Sequence, residues 1–271
     1  MATIHPTAVV HPDAKIAEGV EIGPYSIVGP NVVLKENVVL RSHVVVEGHT
    51  TIDQGTVIFQ FASIGAKPQD LKFRGEKTFV FIGKNCEIRE CVTVNSSCGE
   101  GTAVRIGDNC LLMAYVHVAH NCVLGRNVIL SNNVSLAGHV EVGDFAIVGG
   151  FTPVHQFTRI GPHAMCGGMS RLDGDLGPFL IGGGTDFKVG GINLVGLRRR
   201  EFDLERRVKL GKLFKWVYRS ELSIEMAIHE ILKEFSLEDE DVRLWVEFFS
   251  FQTKRGYAGY KRAVSPEPAI C

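Results

Sequence analysis

The chain has 271 residues, of which 45% are hydrophobic, and a formal net charge of −1. That balance excludes a disordered chain and offers no basic surplus for nucleic acid. No run approaches 18 consecutive apolar residues, so stable membrane insertion is not expected. A repeat that begins at Ile4 leaves no room for an export signal, which points to the cytoplasm.

Stepping six residues at a time from Ile4 to Cys166 visits 28 positions, and 24 of them are Ile, Leu or Val. The position two before each is small or β-branched, as at Ala8, Ser26, Val38, Ala62, Val116 and Ala146. Two inward positions flanking one outward position describe a short strand. Gly follows the large residue at Gly23, Gly83, Gly107, Gly125, Gly143 and Gly161, where a corner calls for backbone freedom. A period of six with corner glycines predicts a parallel β-helix of hexapeptide repeats with three hexads, or 18 residues, per coil. Counting does not set its handedness. Cys86, Cys110 and Cys122 hold small inward positions and read as reduced filler rather than disulfide or metal ligands.

The pattern breaks twice. Over 65–80 the segment GAKPQDLKFRGEKTFV drops the inward apolar residues while keeping the count in phase, which predicts a loop extruded from a coil that then resumes. Its polar centre, Gln69, Asp70, Lys72, Arg74 and Lys77, is either a ligand-reaching element or plain surface. A second, Ser- and Gly-rich break runs from Asn95 to Arg105.

With 18 residues per coil, positions i, i+18 and i+36 stack at about 4.8 Å. His120, Gly138 and Gln156 are so spaced, each two residues past the large residue of its hexad. An imidazole, a backbone N–H and an amide therefore form one column near a corner. Those groups suit acyl transfer, which needs a base for the attacking hydroxyl or amine and a donor for the oxyanion of the tetrahedral intermediate. His117 faces outward on the preceding strand, His139 stacks above Asn121, and His155 is near. Three readings stay open from spacing: catalysis, a solvated or subunit-contact face, and a metal shared between subunits, as in gamma-class carbonic anhydrases.

After Cys166 the repeat fades into RLDGDLGPFLIGGGTDFKVGG, read as the end of the solenoid and a linker. The division is 1–190 for the β-helix and 191–271 for a helical domain. Leu210, Leu213, Phe214 and Val217, then Ile224, Ala227, Ile228, Ile231 and Leu232, then Val242, Trp245, Phe248 and Phe249 recur at helical spacing, with Ser223 as cap of the second helix. The first helix is basic and the next two acidic, so the basic face either meets an anionic partner or is neutralised by its neighbours. The cluster Arg198, Arg199 and Arg200 suits phosphate. The tail after Tyr260, ending SPEPAIC, reads as disordered.

The segments SHVVVEGHT, QFASIGAKPQDLKF, LLMAYVHVAHNC, SLAGHVEVGDFAIVGG, VHQF and INLVGLRRREF, in this order and followed by helices, resemble the UDP-N-acetylglucosamine 3-O-acyltransferase family over nearly the whole chain. The resemblance implies a left-handed β-helix and a homotrimer with sites between subunits. It also implies the first step of lipid A synthesis: transfer of a 3-hydroxyacyl chain from acyl carrier protein to the sugar 3-hydroxyl of UDP-N-acetylglucosamine, with no cofactor. Carried over by motif, His120 is the general base and the Gly138 amide the oxyanion donor. His117, His139 and Gln156 surround sugar and thioester, and Gln69, Asp70 and Lys72 bind the sugar nucleotide. Asn193, Arg199 and Arg200 hold the nucleotide, and Gly168 matches the acyl-chain ruler. Asn121 stands where the family often has Asp, and Val195 where an acidic residue is frequent. Transfer to an amine, on a 3-amino or acylated UDP-glucosamine, uses the same column and is the alternative; a non-catalytic scaffold is a further one.

Overall fold

Each hexad forms a short strand, commonly two residues, whose second member is the large residue facing inward, as in Val39–Leu40, His117–Val118 and Ser135–Leu136. The computed structural model describes residues 1–260; the tail ending SPEPAIC lies outside them. The strands stack into three parallel sheets, and the chain visits the first, second and third in turn, making a left-handed parallel β-helix. Partners across a coil are 18 apart, for example Ile4 with Ile22 and Val118 with Leu136. The interior is a continuous apolar column in which Leu34, Ile52, Ile88, Leu112 and Leu136 are wholly buried.

The corners correct one expectation. The residue with positive φ comes three after the large one and is seldom glycine: Asn109, Asn127, His139 and Phe157 have φ between 57 and 68°. The glycine directly after the large residue answers a different need, close approach of the next coil. A Cβ on Gly107 would fall 2.5 Å from the Gly125 carbonyl oxygen, and one on Gly149 would fall 2.3 Å from the Gly168 nitrogen.

Both breaks are excursions from an intact coil. Around the first, Ile58 pairs with Ile88, 30 positions on instead of 18; around the second, Thr93 pairs with His117, 24 on. Strands end at Ala66 and restart at Phe79, so the first excursion covers 67–78.

The Gly-rich stretch after Cys166 is not a linker. Leu180–Gly183 continues the first sheet beside Met165–Cys166 and turns back antiparallel to Lys188–Ile192. Leu172, Leu176, Phe179 and Leu180 are buried beneath it. Among the described residues four helices follow: α1 (Leu194–Arg199), which the apolar spacing did not signal, α2 (Leu204–Tyr218), α3 (Ile224–Glu234) and α4 (Glu240–Ser250). Ser223 caps α3 by accepting from the Met226 N–H. Three basic residues of α2 are met by acids of its neighbours, Lys212 by Glu234 at 2.8 Å and Arg206 by Asp241 at 2.8 Å, with Lys209 on Asp239 and Asp241. Neutralisation by neighbouring elements thus accounts for part of this charge pattern. Among the described residues no helix is long and apolar enough to cross a membrane.

Candidate active site

The corner between the second and third sheets carries the His120 column. Successive coils are joined there by His139 N–H to the His120 carbonyl at 3.0 Å and Phe157 N–H to the Gly138 carbonyl at 3.2 Å. The imidazole of His120, 9% exposed, lies directly on Gly138: a Cβ at that glycine would fall 2.3 Å from Cε1 and 2.4 Å from Nε2. Glycine is required for the ring to occupy this place.

Gly138 is buried, yet its N–H finds no acceptor among the described residues. Two residues at the same phase of the hexad show where such an amide points. Lys84 and Arg126 each donate their backbone N–H to a carboxylate oxygen of the next coil, Asp108 and Asp144, at 2.8 Å. At Gly138 the corresponding residue of the next coil is Gln156, which accepts no such bond, so the amide is left for an incoming anionic oxygen.

The orientation of His120 is set by Asn121. Its Oδ1 lies 2.9 Å from His120 Nδ1, while Cys98 grips the same amide twice, donating N–H to Oδ1 at 3.2 Å and accepting from Nδ2 at 3.1 Å. The Cys98 backbone thereby tells oxygen from nitrogen, so Nδ1 of His120 donates to the Asn121 oxygen and Nε2 is the nitrogen left to face a substrate. The second excursion supplies this clamp.

The first excursion supplies a carboxylate. Asp70 Oδ2 stands 3.5 Å from His120 Nε2, and Asp70 Oδ1 accepts the Lys72 N–H at 2.8 Å. That backbone bond, with His120 and the Lys72 side chain behind it, holds the Asp70 carboxyl below its ordinary value. Gln69 and the side chain of Lys72 are exposed on the same loop. His139 meets His120 edge-on at 5.3 Å and stacks on Phe157 at 4.8 Å. Burial, then His120 and Lys254, lower its pKa. His117 shares a 2.7 Å hydrogen bond with Thr93 Oγ1, and burial lowers its pKa too. Gln156, one coil above Gly138, borders a cavity of about 410 Å³ with Ala137, Pro153, His155 and Arg171.

Four candidates lie on other edges. Asn193 caps α1 through Oδ1 and donates Nδ2 to the His163 carbonyl at 3.0 Å, while Arg200 donates to the Phe145 carbonyl at 2.8 Å. Both therefore sit at the corner between the third and first sheets, with Arg199 exposed beside them. Gly168 is exposed at the remaining corner, next to Met169. The Asn121–Cys98 clamp and Lys254, over the Phe157 ring at 4.3 Å, escaped the spacing argument because each comes from an irregular segment. Among the described residues no group of three or more His, Cys, Asp or Glu could hold a metal ion.

Residues 175–258 match the family model described as UDP N-acetylglucosamine O-acyltransferase, domain 2, and residues 1–36 and 103–138 match the bacterial transferase hexapeptide model. An acyl-[acyl-carrier-protein]–UDP-N-acetylglucosamine O-acyltransferase from Chlamydia abortus is 50% identical over 199 residues, covering 73% of this chain and 71% of the relative. Its namesake from Chlamydia caviae is 51% identical over the same span. Among solved structures, LpxA from Acinetobacter baumannii aligns with a TM-score of 0.89 at 38% identity, covering 94% of this chain and 98% of that one. The UDP-N-acetylglucosamine acyltransferase of Campylobacter jejuni aligns with 0.88 at 39%, covering 96% and 100%.

Proposed function

The chain belongs to the UDP-N-acetylglucosamine O-acyltransferase family, and from that premise we propose how it moves an acyl chain from acyl carrier protein to the 3-hydroxyl of UDP-N-acetylglucosamine, the first step of lipid A biosynthesis. His120 Nε2 takes the proton of the sugar hydroxyl as its oxygen attacks the thioester carbonyl. The Gly138 N–H receives the resulting oxyanion. Asp70, 3.5 Å from Nε2, and the Asn121 oxygen at Nδ1 stabilise the imidazolium formed in this step. Collapse of the intermediate breaks the C–S bond, and the departing thiolate takes the proton from His120. No cofactor enters this sequence.

The observation that carries the reading is the unpaired N–H of Gly138, the residue against which the His120 imidazole lies. Hydroxyl and amine acceptors fit that pair equally; the names of the matched relatives favour the hydroxyl. Asn193, Arg199 and Arg200 would bind the nucleotide from a neighbouring copy, since within one chain they occupy a different edge from His120. A homotrimer with sites between subunits meets that need. Gln69 and Lys72 would hold the sugar nucleotide, and His117, His139 and Gln156 would surround sugar and thioester.

The test is incubation of the purified protein with acyl carrier protein thioesters of graded length, against UDP-N-acetylglucosamine and its 3-amino analogue, with product masses measured. O-acylated product from the first acceptor supports the proposal. Absence of product from every pair, or product from the amine alone, overturns it.

A further inference from the structure

The turn after α4 is built back onto the top of the β-helix. The Asp175 N–H donates to the Gly256 carbonyl and the Ala258 N–H to the Asp175 carbonyl, both at 2.8 Å. The Asp175 side chain, 1% exposed, pairs with Arg159 at 2.8 Å, and Arg159 in turn lies over the rings of Phe248 and Phe251 at 4.5 Å each. The Tyr257 hydroxyl lies 3.0 Å from the carbonyl oxygens of both Phe249 and Phe251, which share its one hydrogen. Such a set of contacts fixes the turn instead of leaving it as a loose end.

One consequence is the position of Lys254. Its ammonium stands 4.3 Å from the centre of the Phe157 ring, which stacks on His139, which meets His120 edge-on. The side chain is exposed and has no ion pair or hydrogen bond among the described residues, whereas the basic residues Lys209, Lys212 and Arg206 of α2 are all matched to acids. A held cation without a counter-ion, over a ring one coil above Gly138 and two above His120, is arranged for an anionic ligand.

We propose that Lys254 binds a phosphate of a substrate at the transfer site. The inference rests on the acyl-transfer reading, which supplies two sources of phosphate: the diphosphate of the sugar nucleotide and the phosphate of the carrier's phosphopantetheine arm. Both present the same chemistry to an ammonium group, a doubly or singly charged oxyanion cluster.

The experiment compares the parent chain with Lys254→Met and Lys254→Arg. Each is assayed with UDP-N-acetylglucosamine and two small donors that share one acyl chain, the acyl thioester of 4′-phosphopantetheine and that of pantetheine, which lacks the phosphate. A charge-assisted contact of this kind predicts a loss of about 10-fold or more in kcat/KM for the methionine variant, with arginine retaining most of it. If the arm is the source, the loss appears with the phosphorylated donor and vanishes with pantetheine. If the nucleotide is the source, KM for UDP-N-acetylglucosamine rises with both donors. Parent-like constants for Lys254→Met with every substrate overturn the proposal, as does an equal loss in the arginine variant. A parent chain that transfers nothing even from the acyl carrier protein thioester overturns the functional reading itself, and this inference with it.

Discussion

The Cα of Gly138 and the imidazole of His120 occupy adjoining coils with no room for a methyl group between them, since a Cβ would lie 2.4 Å from Nε2. Gly138→Ala must therefore move the ring, although it keeps the backbone N–H. Displacement of a base by about 1 Å is enough to cost on the order of 100-fold in rate. The expected result is a fall of that size in kcat with an unchanged circular dichroism spectrum. A variant as active as the parent would show that the ring does not act from this position.

Asn121 is a neutral partner where a carboxylate would stabilise the imidazolium more strongly. Asn121→Asp should therefore extend the protonated state of His120, moving the acidic limb of the kcat/KM profile to higher pH. Asn121→Leu removes both the Nδ1 acceptor and the partner of the Cys98 backbone groups, and should lower kcat by at least about 10-fold. Superimposable pH profiles for parent and Asp variant would contradict the orienting role.

His163 is stacked between Phe145 and Phe179 at 4.9 and 5.5 Å, and burial, aided by Arg200, lowers its pKa to about 4. Between roughly pH 6.5 and 4 the unfolded chain holds a proton on this residue that the folded chain lacks. Stability therefore falls as pH drops through that window, with no contribution from this residue above it. Phe145, Phe157 and Phe179 already adopt the same left-handed backbone, so His163→Phe should fold. Melting curves across the window should show a shallower slope for the variant; identical slopes would refute the assignment.

Gly168 sits at the exposed corner beside Met169, and a Cβ there would lie 3.2 Å from the Gly150 carbonyl oxygen. If the acyl chain ends at this corner, Gly168→Met shortens its path. The preferred thioester should then become shorter in a competition assay of mixed chain lengths, and an unaltered profile would count against the placement.

The solenoid was legible because each coil repeats one demand, an inward pair of apolar side chains every six residues, and the 18-residue circuit let His120 and Gly138 be stacked by arithmetic. Asp70 and Cys98 could not be placed that way. Both lie in excursions that stand outside the count, so their approach to His120 and Asn121 depends on loop conformation. The hairpin over 180–192 was hidden for another reason. Its glycines look like a linker, yet a Cβ on Gly182 would fall 2.7 Å from the Lys188 carbonyl oxygen, so small size serves close pairing of the two strands. Asn193 and Arg200 drew attention as polar groups for a ligand, while in the chain itself their hydrogen bonds also fasten α1 to the corner at His163 and Phe145.

Single-turnover acyl transfer by His120→Ala separates a general base from a bystander. Loss of the base should slow transfer by about 100- to 10,000-fold, with the variant's melting temperature and oligomeric state matching the parent. Transfer at the parental rate by the folded variant would contradict the base assignment.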